Sequence, residues 1–473
     1  MTPPARTAGK RSVAVVGAGV AGLSAACALA EAGFDVRLIE RRGYLGGRAS
    51  SYLHPGVNEV IDNCQHVLFG CCTNLLGFYR RIGAEEKIYW TSEMTLIEPG
   101  TRRRTVLAPA PLPAPLHGLP RLLAAQAFTL ADKIALARAF GAMMRGNGVG
   151  ANEPLSQWLA RHGQTPGAIN RFWRLVIASA LNAELDAIAT PYAAKVVREL
   201  FMNSARAGAM GISTVPLSEL YAGAERFLRE RGAEIRFNAN VESAEWDEAL
   251  SRWLLHTRDG GVTADYLILA LPFEATAKLA ANLPPAEGAA ALLGKIERHE
   301  HWPICSVHLW LDREITDMDH AVLLDREVHW MFNKSRLQPQ RRTRGSYIEL
   351  LVSASRAFAA LERGQAIARA MSELAEFFPA AGSARLEKAA LVKEVRATFG
   401  VPPGIDAFRP AQSAAPWPNC FLAGDWTATG WPSTMESAAR SGHLAAEALC
   451  ASDGRPQKFL EADLKPRGLM RWL

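Results

Sequence analysis

The sequence predicts an α/β fold in which a parallel-sheet domain is interleaved with a mixed α+β domain. Three observations predict it. A β-branched run at residues 13–16 ends in glycine and leads into an Ala/Leu-rich helical segment. Strand patterns return at residues 233–272, and a last strand and helix follow residue 419. Because parallel strands are joined by long crossover connections, these distant segments fit one Rossmann-like sheet.

The glycines after the first strand have the spacing of a dinucleotide-binding turn. Gly17 permits the tight turn, Gly19 lets the backbone approach a pyrophosphate, and Gly22 lets the next helix pack closely. The helix predicted over residues 23–32 directs its N-terminal N–H groups at that anion. Ala21, between the last two glycines, is expected to contact the cofactor as well. A glycine-rich turn without a ligand is the alternative.

A second glycine pair points to a cofactor larger than NAD. Glu40 ends the next predicted strand, where a carboxylate accepts hydrogen bonds from adenosine ribose hydroxyls. Arg41, Gly46, Gly47 and Arg48 follow it, an arrangement that is unusual for nicotinamide dehydrogenases. We expect Arg48 to face the pyrophosphate and the glycines to lie close to a flavin, so the sequence favours FAD.

A polar cluster stands in the apolar stretch that follows. Asp62, Gln65 and His66 are close together in sequence. Polar groups in an apolar setting need partners, which a flavin edge or a substrate would supply. We therefore take these three as candidate catalytic residues; a hydrogen-bonded turn is the alternative.

The middle of the chain is expected to form the substrate-binding parts. Residues 122–144 have apolar side chains at helical spacing with interspersed cations, which fits either a bilayer interface or the cover of a core. Residues 302–351 are mainly β in pattern, and a helix is predicted at residues 364–378. An antiparallel sheet would form one wall of an apolar substrate chamber.

The last third of the chain supplies the other side of the predicted cofactor site. Gly424 and Asp425 follow a strand and are expected to hold ribityl and phosphate oxygens. Ser433 or Thr434 suits the N-cap of the final helix, which begins near Met435. A helix N-terminus directed at the flavin would stabilise negative charge on the reduced ring.

These patterns divide the chain into five segments. Three of them are expected to form the FAD-binding domain, with Val241 offering its backbone to the adenine. The other two are a helical part that faces substrate and membrane, and a sheet part that binds substrate. In chain order the FAD-binding segments are residues 1–90, 206–295 and 401–473, the helical part is 91–205, and the sheet part is 296–400.

Composition narrows the classes of partner and compartment. The 473 residues carry a net charge of +6 without an aromatic-interleaved basic block, so we expect no nucleic acid. An anionic membrane surface or a phosphate-bearing cofactor fits better. Seven cysteines without framework spacing indicate a reducing cytoplasm and no metal site. The basic-aromatic tail at residues 459–473 suits a headgroup interface, or else a frayed terminus.

Three stretches resemble the bacterial hydroxysqualene dehydroxylases, also described as squalene-associated FAD-dependent desaturases, of the amine oxidase and phytoene desaturase superfamily. They read GAGVAGLSAA…ERRGYLGGRASSY, IDNCQHVLFGCCTNLLGFYRRIG and FLAGDWTATGWPSTMESAARSG. The resemblance covers nearly the whole chain and implies an FAD-binding domain of the glutathione-reductase type. It also implies reductive removal of the hydroxyl of hydroxysqualene, a step of squalene and hopanoid biosynthesis, with hydride from reduced FAD.

The same resemblance implies partners and a location. The substrate would be a long-chain isoprenoid, with other squalene-synthesis enzymes and a flavin reductant as partners. The protein would be cytoplasmic, peripheral on the inner face of the plasma membrane. Asp62 and His66 are the candidates for the acid that protonates the leaving hydroxyl. In one departure, Cys64 stands where the family has glycine, and a positive φ there would strain it.

Other functions fit the same architecture. A carotenoid-type desaturase or isoprenoid oxidase would use the scaffold in the oxidising direction. An amine oxidase fits less well, because no amine-binding aromatic cage stands out between residues 150 and 400. A lipid-escort protein of the Rab escort or GDP-dissociation-inhibitor kind would bind no flavin, and the intact glycines together with Glu40 and Asp425 argue against it.

Overall fold

A computed structural model describes residues 10–146, 149–150, 152–341 and 344–471. Its first structural unit is a five-stranded sheet in which all neighbouring strands are parallel. The sheet combines strands from the beginning, the middle and the end of the chain, as the sequence predicts. Their order across the sheet is Glu234–Arg236, Asp35–Ile39, Ser12–Val16, Tyr266–Leu269 and Cys420–Leu422.

The central strand of this parallel sheet is buried because helices cover it. Val13, Ala14 and Val15 are fully inaccessible to solvent. Helix Val20–Glu31 is buried over nearly its whole length and packs against helix Met435–Ser452, so the first and last long helices of the domain meet face to face. Small side chains on both helices permit this close approach.

A second, mixed sheet has seven strands and includes strands from residues 302–351, the region for which the sequence predicts an antiparallel sheet. All its pairings are antiparallel except that of Val322 with Leu96 and Leu323 with Ile97. The segment 91–205 is therefore not purely helical, because two short strands at its start complete this sheet. The strand order is Leu386–Phe399, His301–Leu311, Ser346–Ser353, Trp330–Asn333, His320–Leu323, Met94–Ile97 and Arg104–Leu107.

The described residues form three smaller sheets besides these two. One is the antiparallel meander that carries Val241, and the other two flank the polar cluster around Asp62. Their strands are Val241–Asp247, Arg252–Thr257 and Gly260–Ala264; Ser51–His54 and Glu59–Asp62; and Val67–Phe69, Met210–Ser213 and Ile88–Thr91.

Helices fill the remaining space around the sheets. The α-helices are Val20–Glu31, Thr73–Arg81, Leu119–Ala124, Leu130–Met144, Leu155–Arg161, Pro166–Ala168, Ser179–Leu181, Thr190–Val197, Leu217–Glu230, Phe273–Ala280, Ala289–Ile296, Lys334–Leu337, Arg356–Ala360, Arg363–Phe377, Pro379–Ser383 and Met435–Ser452. Two π-helical segments, Ile169–Ala178 and Arg198–Met202, continue the helical part. Among the described residues, no helix combines the length and the apolar character needed to cross a bilayer.

The single helix predicted over residues 122–144 is two helices in the structure. The first ends at Ala124 and the second begins at Leu130. Thr129 caps the second: its Oγ1 accepts from the Asp132 N–H at 3.2 Å, and its own N–H donates to Asp132 Oδ2 at 2.8 Å. This reciprocal capping box starts a new helix inside the apolar pattern. Residues 472–473 of the predicted membrane tail lie outside the described residues.

Candidate functional site

A cavity of about 870 Å³ lies where the parallel sheet, the mixed sheet and the helical segment meet. Its wall includes the glycine-rich turns as well as apolar side chains such as Val67, Phe69, Leu200 and Ile304. A pocket of this size, lined by glycine loops and by hydrocarbon, suits a cofactor together with an apolar substrate.

Most of the predicted cofactor residues line this cavity. Gly22 does not, because it packs helix Val20–Glu31 against the preceding turn: a Cβ there would lie 1.9 Å from the Gly17 carbonyl oxygen. The predicted residues on the cavity wall are Gly17, Gly19, Ala21, Glu40, Arg41, Gly46, Gly47, Arg48, Val241, Gly424, Asp425, Ser433, Thr434 and Met435.

The two glycine turns form one backbone cradle. Gly19 and Gly46 form a parallel bridge, and a Cβ on Gly47 would come within 2.9 Å of Gly19 Cα. Gly17 has a φ of +102°, which other residues rarely adopt. Two chain segments thus offer bare backbone to the cavity where side chains would fill it. This cradle fits the pyrophosphate of FAD.

Glu40 fixes the shape of this cradle. Its Oε2 accepts from the Ala18 N–H at 2.8 Å, and its Oε1 accepts from the Arg42 N–H at 2.9 Å. Each carboxylate oxygen keeps further acceptor capacity. The buried carboxylate therefore holds the glycine turn in place and can also accept ribose hydroxyls, as the sequence predicts.

An ion pair joins the two ends of the chain beside the cavity. Arg48 Nη2 pairs with Asp425 Oδ1, and Arg48 Nη1 donates to the Ala397 carbonyl at 3.1 Å. Ser433 Oγ donates to the other oxygen, Asp425 Oδ2, at 2.5 Å. The sequence predicts that Arg48 faces the pyrophosphate directly. In the structure Asp425 holds the Arg48 guanidinium at the cavity wall, so the positive charge of Arg48 still lies beside the cavity.

The N-terminus of the final helix points at the same cavity. Thr434 is its N-cap, with Oγ1 accepting from the Ser437 N–H at 3.1 Å. Glu436, in the first turn of this helix, serves another helix: it accepts from the Leu75 N–H at 2.8 Å and the Asn74 N–H at 3.2 Å. The first-turn N–H groups that Thr434 does not cap can donate to an anionic ligand in the cavity.

The structure does not support Asp62 as a proton donor. Asp62 is buried behind the cavity wall, and its Oδ2 accepts from Lys334 Nζ at 2.6 Å. Burial alone would raise its pKa, but the charge and hydrogen bond of Lys334 outweigh that effect. Further hydrogen bonds to Oδ1 come from Ser51 Oγ and the Leu217 N–H, and the pKa of Asp62 falls to about 2. The carboxyl is therefore ionised and occupied.

Gln65 and His66 do line the cavity, and so do Asn63 and Cys64, which precede them in the sequence. His66 Nδ1 lies 2.8 Å from the Cys64 carbonyl oxygen, which can only accept, so this nitrogen carries the proton. Burial lowers the pKa of His66, which keeps the ring neutral with a lone pair on Nε2. His66 is thus a base in the cavity rather than an acid. Cys64 does not have a positive φ, so the expected strain is absent.

Two charged residues that the sequence analysis missed also face the cavity. Lys195 and Glu199 stand four residues apart in the segment PYAAKVVRELFM. Lys195 Nζ lies 4.7 Å from the centre of the Trp431 ring, and Trp431 is also on the cavity wall. Three charged residues, Lys195, Arg198 and Glu199, within an otherwise apolar segment were the available signal.

A family model described as flavin containing amine oxidoreductase matches residues 20–450. Two curated relatives match over almost their full lengths. A 15-cis-phytoene desaturase of Synechococcus elongatus is 27% identical, over 94% of this chain and 98% of its own length. A zeta-carotene desaturase of Synechocystis sp. is 26% identical, over 94% of this chain and 98% of its own length.

Solved structures share the fold at lower identity. Putrescine oxidase superposes with a TM-score of 0.70 at 17% identity, over 93% of this chain and 99% of its own. An oxidoreductase from Methanosarcina mazei superposes with a TM-score of 0.72 at 16% identity, over 91% and 98% of the two chains. The predicted α/β class is confirmed, with parallel-sheet and mixed-sheet parts interleaved along the chain.

Proposed function

This chain belongs to the flavin-containing amine oxidoreductase family, and we propose that it desaturates a long-chain isoprenoid. Membership in this family makes it an FAD-dependent oxidoreductase, which confirms the predicted cofactor. The relatives named phytoene and zeta-carotene desaturases support an isoprenoid hydrocarbon as the substrate. The apolar end of the cavity, formed by side chains such as Val67, Phe69 and Leu200, suits such a chain.

The position of His66 on the cavity wall, with Nδ1 held by the Cys64 carbonyl, is the observation that carries this proposal. Desaturation removes a hydride from one carbon and a proton from its neighbour. When bound, FAD supplies the hydride acceptor. His66 Nε2 carries a lone pair, with Cys64 Sγ 3.9 Å away, and takes the proton from a substrate in the cavity, while the Cys64 carbonyl holds Nδ1 and fixes the ring. The hydrocarbon walls exclude water from this step.

Reductive dehydroxylation of hydroxysqualene is the second candidate function. The three sequence stretches that resemble the dehydroxylases favour it, and so does the charged pair Lys195 and Glu199, for which a pure hydrocarbon substrate has no use. This reaction converts an allylic alcohol and reduced FAD into squalene, water and oxidised FAD. It would place the protein after enzymes that form hydroxysqualene, with a separate flavin reductant as a partner.

One anaerobic experiment separates the two functions. Oxidised holoprotein is mixed with phytoene, and photoreduced holoprotein with hydroxysqualene, while flavin absorbance and products are followed. Bleaching of the flavin with a new double bond in phytoene supports desaturation. Flavin reoxidation with squalene formation supports dehydroxylation. A flavin that stays unchanged in both mixtures overturns both proposals.

We also infer that the protein docks on the cytoplasmic face of an anionic membrane. Leucines 112, 116, 119, 123 and 130 are exposed to solvent, and Leu130 is 72% accessible. The tail joins this surface, because the Leu469 N–H donates to the Ala114 carbonyl at 2.8 Å and Leu469 is also exposed. A neighbouring pocket of about 730 Å³ is lined by Arg206, Lys465, Arg467 and Arg471. Leucines flanked by cations suit acyl chains below anionic headgroups.

A further inference from the structure

The cavity wall contains a group of polar residues that neither the predicted FAD site nor His66 uses. Lys195, Glu199 and Trp431 all line the cavity. Trp431 is 94% buried, yet its Nε1 donor has no hydrogen-bond partner among the described residues. A buried indole N–H normally finds an acceptor. A Trp431 N–H without a partner at a cavity wall indicates that the oxygen of a ligand accepts from it.

The two charged side chains are incompletely paired as well. Glu199 Oε2 accepts from Asn203 Nδ2 at 2.9 Å, whereas Lys195 Nζ rests on the face of Trp431. Within the described residues, no carboxylate lies within ion-pair distance of Lys195. A cation and a carboxyl group on the wall of an apolar cavity are costly unless a ligand uses them.

Local backbone geometry directs Glu199 toward this wall. The helix Thr190–Val197 widens into π-helical turns over Arg198–Met202, and the Asn203 N–H bonds to the Arg198 carbonyl five residues earlier at 2.9 Å. Such a π segment rotates the side chains on either side of it relative to a regular helix, and it is common at functional sites. Lys195 lies before this segment and Glu199 lies within it, and both line the cavity.

We propose that Lys195, Glu199 and Trp431 form a subsite for the hydroxyl of an allylic isoprenoid alcohol, and that Glu199 protonates this hydroxyl as it leaves. The proposal rests on the second candidate function, reductive dehydroxylation. The C–O bond breaks with its electron pair on oxygen, and the proton from Glu199 completes water. The allylic carbon then takes a hydride, with its two electrons, from reduced FAD. A proton from solvent returns to Glu199, and a soluble two-electron reductant restores the reduced cofactor.

The charges around Glu199 agree with this role. Burial raises the pKa of the Glu199 carboxyl, so the protonated form persists to higher pH than in an exposed glutamate. Asp463 of the tail acts in the same direction, whereas Lys195 and Arg198 on the same helical segment act against it. Cys71, Glu436 and Arg440 complete the titratable and charged groups close to the pair. Trp431 and Lys195 are placed to donate hydrogen bonds to the departing oxygen.

The test uses reduced holoprotein mixed anaerobically with hydroxysqualene, with flavin reoxidation and squalene followed at several pH values. We expect Glu199→Gln to slow reoxidation about 100-fold, the usual size of a general-acid contribution. Wild-type rates should fall as the pH rises through the pKa of Glu199, and Glu199→Gln should lack this limb. Glu199→Asp should recover part of the rate. Glu184→Gln, an exposed position in the same helical part, should behave as wild type.

A binding measurement separates the subsite from the reaction. Oxidised holoprotein is titrated with hydroxysqualene and with squalene, and flavin fluorescence reports binding. We expect about tenfold tighter binding of the alcohol, a preference that Lys195→Met removes. Equal binding of both ligands by wild type overturns the subsite. A reactive wild type with an equally fast, equally pH-dependent Glu199→Gln overturns the proton donor alone. A wild type that binds the alcohol more tightly but never reacts overturns the dehydroxylation function and leaves the binding subsite standing.

Discussion

Lys334 binds several acceptors in a space that excludes water. Its Nζ donates to Asp62 Oδ2 at 2.6 Å and to Gln65 Oε1 at 2.8 Å, and Glu349 Oε2 lies 3.4 Å away. Gln65 reaches the cavity, so this buried lysine positions the polar loop from behind. Proximity in sequence suggested Asp62 as an acid, but its controlling charge comes from a lysine far along the chain, which no local pattern reveals.

Replacing Asp62 should destabilise the protein in a pH-dependent way. We expect Asp62→Asn to lower the free energy of unfolding by about 3 kcal/mol at pH 7, because it leaves part of a buried ion cluster uncompensated. The folded pKa of Asp62 is about 2, below the unfolded value of about 3.9. Its stabilising contribution is therefore present above about pH 4 and is lost as the pH falls towards 2. Urea unfolding of both proteins from pH 7 to pH 3 measures this loss.

The exposed i,i+4 pair of Glu225 and Arg229 provides the control for this measurement. Glu225→Gln should change the free energy of unfolding by about 0.5 kcal/mol or less, since solvent screens such pairs. If Asp62→Asn is as mild as Glu225→Gln, or if its effect does not shrink at low pH, the assigned ionisation of Asp62 is wrong.

Gly22 should be indispensable for flavin binding although it does not touch the cavity. A Cβ there would meet the Gly17 carbonyl oxygen at 1.9 Å, so Gly22→Ala must displace the glycine turn. We expect colourless protein after purification, judged by the ratio of flavin to protein absorbance. Gly294→Ala, where a Cβ meets nothing within 4 Å, should keep its full colour. A yellow Gly22→Ala protein would contradict the close packing of helix and turn.

At the scale of elements, the final helix supports a second helix with its own side chain. Glu436 lies in its first turn, yet it accepts from the Leu75 and Asn74 N–H groups at the start of helix Thr73–Arg81. Arg440 Nη1 lies 3.3 Å from Glu436 Oε1 and partly balances the charge. Burial nevertheless raises the pKa of Glu436. The two helices are thereby coupled through one buried carboxyl group.

Glu436→Gln should therefore weaken the helix that Glu436 caps. We expect the free energy of unfolding to fall by about 2 kcal/mol, and amide hydrogen exchange of Leu75 to accelerate. Thr434→Ala is the matched variant, because it removes the cap of the final helix at a cost of about 1 kcal/mol and acts on Ser437 instead. Equal exchange changes at Leu75 in both variants would refute the assignment.

Sequence patterns located most elements but not their interruptions. The first strand and helix were predicted within a few residues of Ser12–Val16 and Val20–Glu31, because hydrophobic runs bounded by glycine are local signals. The break before Leu130 also had a local signal, the capping-box pair Thr129 and Asp132, which the longer apolar periodicity obscured. The π-helical turns had none, because they arise from packing between helices.

At the scale of the whole molecule, the predicted membrane surface can be tested directly. We expect the triple variant Leu116→Ser, Leu123→Ser and Leu130→Ser to lose most of its binding to vesicles of mixed phosphatidylglycerol and phosphatidylcholine in a sedimentation assay, because it removes about 1.5–3 kcal/mol of burial per leucine. Leu250→Ser, at an exposed leucine in the turn between strands Val241–Asp247 and Arg252–Thr257, is the control. Unchanged sedimentation of the triple variant would assign these leucines to another role.

The glycine turns and acidic residues on the cavity wall were predicted from the sequence, whereas Lys195 and Glu199 on the same wall were not. Gly17, Glu40 and Asp425 stand in motifs whose spacing is dictated by the shape of a dinucleotide. Lys195 and Glu199 face the cavity only because a helix from another part of the chain packs there. Residues that contact a variable substrate follow no common spacing, so only the assembled structure identifies them.

The interleaving of the parallel sheet has a consequence for biosynthesis. Strand Cys420–Leu422 and helix Met435–Ser452 complete the pocket that begins with Ser12–Val16. A ribosome must therefore translate nearly the entire message before the nascent polypeptide can capture FAD. Until then the apolar helix Val20–Glu31 lacks its packing partner, and its exposed surface makes the nascent chain a client for chaperones. For the same reason, the supply of flavin matters only at the end of synthesis.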